Sequence, residues 1–211
     1  MTRAALSRQA FVDAALALIS ASGVEQLSMR KVATHLSVSS MAAYKHFASK
    51  EELLEAALDT FIARAEVLPT EELPWAQWLE QVALRMYRAL SQERSWVSLL
   101  GSLPLGDQAA AVTDAVMRRL VAEGFSAEQA MAAYFSMLQL VAGAVCLHAS
   151  LNQRLTDRTG ASLSPVTSRY LQSANSLRLQ VAPTLERAVQ QEPIALSLPL
   201  LLAALQQQLR A

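Results

Sequence analysis

The chain has 211 residues, of which 53% are hydrophobic and 17% charged, and its 18 basic and 18 acidic side chains give a formal net charge of zero. This composition supplies a substantial core and excludes global disorder; the zero balance excludes indiscriminate coating of nucleic acid, so any nucleic-acid surface must be local. A single cysteine, Cys146, rules out an intrachain disulfide and fits a reducing, cytoplasmic setting.

In chain order, the N-terminal stretch reads as an amphipathic helix over about residues 8–21 and not as a signal peptide: Asp13 interrupts it, and Phe11, Ala14, Ala15, Leu18 and Ile19 share one face. Gly23 stands where a left-handed C-terminal cap is wanted. Ser28 is placed to cap a short second helix with Val32, Ala33 and Leu36 inward, and Ser39 to cap a third that ends near Phe47. Ser49-Lys50-Glu51-Glu52 reads as a capping box opening a fourth helix, whose apolar stripe is Leu53, Leu54, Ala57, Leu58, Phe61 and Ile62. The segment 67–74, with two prolines and two acids, marks the boundary between a unit of residues 1–66 and a second unit of residues 67–211.

Beyond it, periodicity predicts helices over 75–92, 95–101, 108–123, 127–152, 166–180, 184–191 and 198–210, with a second capping box at Ser126/Gln129 and a loop over 156–165. Nothing reads as a strand, so the fold class is all-α: a three- or four-helix N-terminal unit followed by a larger helical bundle. No charged residue lies between Glu128 and Arg154, a run long enough to span a bilayer. Ser136, Gln139, Gly143, His148 and Ser150 interrupt it, however, and a buried or interface helix is expected instead of a membrane span.

The chemistry concentrates in residues 27–54. Two short helices separated by a tight turn form the helix-turn-helix pattern, in which the second helix can enter a major groove. From Gln26 to Lys50 there are four basic residues and no acid, and Lys31, Lys45 and Lys50 are the only lysines in the chain. Cations at the ends and edge of a groove-reading helix neutralise phosphates and set register. Ser40 can donate to or accept from a base edge, while Met41 and Ala42 can pack on thymine methyl groups. Phe47, Val38 and Val32 are assigned to the core, and Tyr44 partly so.

These residues carry a family resemblance. Leu27-Ser28-Met29-Arg30-Lys31-Val32-Ala33, Val38-Ser39, Tyr44-Lys45-His46-Phe47 and Ser49-Lys50-Glu51-Glu52-Leu53-Leu54 together resemble the tetracycline-repressor (TetR) family of bacterial regulators over about residues 8–58. The resemblance implies that Ser39, Ser40, Met41 and Ala42 open the recognition helix, that Tyr44 and His46 contact phosphates and pack that helix, and that Lys50 binds phosphate at a helix start. It also implies that Arg30 reaches a base or phosphate. With Ser28, Lys31 and Lys45 these complete the candidate DNA-facing set. Three positions depart from the family pattern. Ser37 replaces a turn glycine, so the turn must take a shape a side chain tolerates. Met41 and Ala43 replace residues that are usually smaller and larger respectively.

The chain shows no catalytic constellation, no cofactor motif and no metal-ligand spacing among His35, His46 and His148. The segment 101–108 has two glycines but Asp107 where a phosphate loop needs lysine. The second unit's aromatic and methionine residues are first of all core. Trp78, Met86, Trp96, Met117, Tyr134, Met137 and His148 are nonetheless candidates to line a pocket for a small apolar or amphipathic effector, which the resemblance also implies. Cys146 is expected to be a small buried hydrophobe. A single helix-turn-helix makes too few contacts for tight specific binding, so a homodimer on double-stranded palindromic operator DNA is expected, joined through helix 127–152 and the terminal helix. The whole reading is of a ligand-responsive regulator, a repressor by resemblance, and not an enzyme.

Overall fold

A computed structural model describes residues 7–104, 106–156, 176–190 and 193–210. Among these every regular element is helical: α1 (Arg8–Ser22), α2 (Met29–His35), α3 (Ser40–Tyr44), α4 (Lys50–Ala65), α5 (Trp75–Gln92), α6 (Asp107–Ala122), α7 (Ala127–Thr156), α8 (Ser176–Gln190) and α9 (Ile194–Gln208), with short 3-10 turns at Val24–Gln26 and Arg94–Leu99. The 3-10 geometry of Arg94–Leu99 replaces the helix expected over 95–101. The loop expected over 156–165 falls outside the described residues except for Thr156, which ends α7, and so does the expected 166–180 helix before Ser176.

Local chemistry sets the helix starts. Ser7, Ser28 and Ser49 sit in extended conformation, and their side chains accept from Ala10 N, Lys31 N and Glu52 N respectively, satisfying donors that no preceding turn can reach. Glu52 returns the favour one residue off the usual register, accepting from Ala48 N at 2.6 Å. Ser126 and Gln129 make both halves of their box, at 2.8 and 3.1 Å. Two expected helix boundaries near prolines do not hold. The break foreseen between 180 and 184 is absent, since α8 continues through Pro183. The last helix begins at Ile194, not 198, with Pro199 inside it, because Ile194 and Leu198, one turn apart, are both buried.

The turn between α2 and α3 keeps the left-handed backbone that glycine would normally supply, with Ser37 at φ 55°. An L side chain there costs roughly 1–2 kcal/mol, and glycine loses part of that gain to chain entropy. Ser37→Gly is expected to stabilise the protein by about 0.5–1 kcal/mol, seen as a rise of about 2 °C in Tm by calorimetry. A fall in Tm would show that the serine side chain contributes more than its backbone costs.

One continuous core runs from Phe11 through Leu53, Leu79, Trp96, Leu120 and Met137 to Leu205. α1 packs on α4, α4 on α6, and α5, α6 and α9 on α7, which is the axis of the bundle. Arg85 fastens the segment between α4 and α5 by donating to the carbonyls of Glu66 and Leu68, both at 3.2 Å. Asp59 on α4 caps α6, its carboxylate accepting from Gln108 N at 2.8 Å beside Gly106.

α7 has two faces. Ala130, Ala133, Tyr134, Met137, Val141, Ala144 and Val145 are buried. On the other side Met131, Phe135, Leu147 and Cys146 are exposed, and Gly143 has open space beside it. Cys146 is therefore not the buried hydrophobe expected from sequence: it is exposed on α7, on the side turned away from the helix's buried residues. Ala127–Ser150, with mean hydropathy 1.8, is long and apolar enough to cross a membrane, and its packed face shows it integrated into the bundle.

Candidate nucleic-acid interface

α2 and α3 are too short to be stable alone, and the core holds them through few but fully buried residues. Met29, Val32 and Ala33 anchor α2; Ala43 and the following Phe47 anchor α3 against Phe11, Ile19 and Leu53 of the supporting helices. α3 ends at Tyr44, earlier than the Phe47 expected, because Phe47 turns inward at 1% exposure. Ala43 is fully buried, so a larger aliphatic at this position would have to displace its core neighbours.

With that anchorage, α3 turns its remaining arc outward. Met41 is 70% exposed and Tyr44 50%, both large apolar surfaces that the chain itself does not cover. Tyr44 is thus more exposed than its partial core assignment foresaw. Ser39 is exposed at the N-cap position and makes no side-chain cap bond; Ser40 and Ala42 are half-buried on the flanks of the same arc. Arg30, Lys31 and Lys45 are exposed around it, and Lys50 is half-buried at the first residue of α4. Lys31 Nζ is tied back to Gln26 O at 2.7 Å, which holds its charge at the α2 end of the surface. Ser28 Oγ is engaged in capping as an acceptor, leaving its O–H able to donate.

His46 is half-buried, its ring packed 4.9 Å from that of Phe11, so packing is a large part of its role. The residue that most firmly sets the end of α3 is one the sequence reading missed. Arg8 donates to His46 O at 2.7 Å and to Glu52 Oε1 at 2.9 Å, and its guanidinium lies 4.0 Å over the Phe47 ring. One side chain thereby joins α1, the recognition segment and α4. Glu52 accepts from Ala48 N and from Arg8, which holds its carboxyl below the usual carboxylate range; Glu51 is lowered by its own backbone N–H and by Ser49. The two acids next to Lys50 are thus engaged with backbone and caps.

The second unit distributes the effector candidates differently from expectation. Trp96 is fully buried and stacked on Phe61 at 5.5 Å; Met137 is fully buried; Trp78 packs beneath Arg119. Tyr134 accepts a hydrogen bond from Thr113 Oγ1 at 3.1 Å, and burial pushes its phenol upward. Met86 and Met117 are half-buried against the core. His148 alone of this set lines either of two adjoining cavities, of about 400 and 510 Å³, formed by the end of α5, the Arg94–Leu99 turn and α7. Among the described residues no group of His, Cys, Asp and Glu side chains is arranged to hold a metal.

Comparison with known proteins agrees with this geometry. The family model for bacterial regulatory proteins of the tetR family matches residues 11–57, and that for the tetracyclin repressor-like C-terminal domain matches residues 68–210. The class D tetracycline repressor protein of Escherichia coli is 30% identical over 179 residues, covering 82% of each chain. The class E protein of the same organism is 33% identical over 155 residues, covering 71% of this chain and 72% of the relative. Among solved structures, the TetR protein of Acinetobacter baumannii AYE superposes with a TM-score of 0.69 at 25% identity, covering 96% of this chain and 98% of that one. The Streptomyces coelicolor ActR protein in complex with actinorhodin has a TM-score of 0.79 at 21% identity, covering 96% of each.

Proposed function

The chain belongs to the tetR family of bacterial regulatory proteins, and from that premise we propose that it is a repressor held on a palindromic operator until a small molecule binds its second unit. It is a ligand-responsive DNA-binding transcriptional regulator and not an enzyme. We assign DNA reading to residues 1–66 and effector binding with dimerisation to residues 67–211, acting in the cytoplasm.

The observation that carries the reading is the outward arc of α3: Met41 and Tyr44 uncovered, Ser39 and Ser40 at the helix start, and Arg30, Lys31, Lys45 and Lys50 around it. Exposed apolar side chains within a cationic rim suit a major groove, where they meet methyl groups while the rim meets phosphates. The exposed Met131, Phe135 and Leu147 of α7 and Leu200 of α9, on helices with few charges, support the dimer, which would place two such recognition helices one DNA turn or a multiple of it apart. A small apolar or amphipathic effector that favours a different separation would release the operator by population shift.

The experiment is DNase I footprinting on the intergenic DNA flanking the gene. Two protected half-sites related by a two-fold axis, lost at high salt, are expected. Uniform, sequence-independent protection would sink the proposal.

A further inference from the structure

The two cavities behind the helix-turn-helix hold polar groups that the DNA-reading surface leaves unused. They share Gln92, Arg94, Val145 and Ala149, so they form one bipartite cleft. In the smaller part, Tyr87 Oη and His148 Nδ1 are 3.1 Å apart, a hydrogen bond whose donor depends on the histidine tautomer. One turn further along α5, Ser91 Oγ is buried without a hydrogen-bond partner. Buried hydroxyls are rarely left so, and this one borders the cavity. Arg94 is the one charged residue lining the smaller part and, among the described residues, pairs with no carboxylate. Glu25 and Glu93 line only the larger part.

We infer that the smaller cavity is the effector site and takes an aromatic anion: a carboxylate or phenolate on about two fused rings, which a cavity of 400 Å³ accommodates. This rests on the regulator reading and adds to it the place and the ligand chemistry. The anionic group pairs with the Arg94 guanidinium, a planar fork suited to carboxylate. A ring oxygen meets Ser91 Oγ and the Tyr87–His148 pair, while Val145 and Ala149 face the rings. The larger cavity continues from the same four shared residues to Ile19, Ser20, Gly23 and Glu25 at the end of α1. Ser98 Oγ already reaches Glu25 Oε1 across this seam at 3.5 Å. A ligand in the smaller cavity therefore acts on α1 through Gln92, Arg94, Val145 and Ala149, which line both parts, and so reaches the helix that supports α2 and α3 by way of their displacement.

The test uses the full-length protein with 1-naphthoate and salicylate as probes and 1-naphthamide as the neutral counterpart, by isothermal titration and tryptophan fluorescence. Saturable binding of 1-naphthoate, one per protomer, is expected. Arg94→Gln should weaken it about tenfold while leaving 1-naphthamide unchanged. Ala149→Trp, and independently Ser91→Met, should fill the cavity and weaken both, with circular dichroism confirming that each variant is folded. Absence of carboxylate binding at millimolar concentration, or equal binding by wild type and all three variants, overturns the assignment. Operator affinity of the unliganded wild type, measured alongside, separates this failure from failure of the regulator reading: specific DNA binding with no probe binding sinks only the site.

Discussion

The double substitution Tyr44→Ala, Lys50→Ala is expected to lower operator affinity roughly 100- to 1,000-fold with little change in Tm. Tyr44 is half exposed and Lys50 stands at the outer start of α4, so neither closes the core that holds the domain together. Each dimer would lose two hydroxyl contacts and two to phosphate, and losses of about 0.7–1 kcal/mol per contact, near the middle of the usual net value, sum to that range. The two signatures are distinct. Removing one lysine per protomer should flatten the slope of log affinity against log salt by about 1.8 per dimer, whereas Tyr44→Ala alone should leave that slope nearly unchanged. Fluorescence anisotropy with labelled operator at several salt concentrations reads both. Unchanged affinity in the double variant would mean that α3 does not face DNA.

An equally large effect is expected from Phe135→Glu. Phe135 is 55% exposed on the uncovered face of α7, in line with Met131 and with the gap beside Gly143, which permits a second helix to approach closely. A two-fold contact would bring two such glutamates into one apolar interface, and unpaired charges there cost several kcal/mol. Light scattering should report a monomer at micromolar concentration. Specific DNA affinity should fall about 10³-fold or more, to the non-specific level, because half a palindrome carries only half the contacts. Circular dichroism should stay helical, since Phe135 is mostly exposed and its ring contact within the protomer is an edge contact with the neighbouring Tyr134. A persistent dimer would move the interface elsewhere.

What could be read from the chain divides by the range of the interaction involved. The caps at Ser28, Ser49 and Ser126 and the stripe of Leu53, Leu54, Ala57 and Leu58 were legible because each is settled within a few residues. Arg8 was not: its partners lie 38 and 44 positions away, and no local pattern distinguishes it from a solvated arginine at a helix start. Aromatic composition pointed to Trp96 and Met137 as pocket residues. Both are core, and the cavity instead gathers Tyr87, Ser91 and Arg94 around His148, chiefly polar groups that hydropathy does not mark. Cys146 failed for a related reason. An apolar helix is periodic whether its second face meets its own chain or another molecule, so hydropathy cannot tell the two apart.

The bond from Gln108 N to Asp59 makes the recognition unit and the bundle share a helix cap. A methyl group added at Gly106 would collide with the Asp59 side chain, so the join has no slack on that side. α4 is therefore pinned along its length to the first turn of α6, so a tilt of α6 would carry α4, and with it the support of the DNA-facing helices, in the same sense.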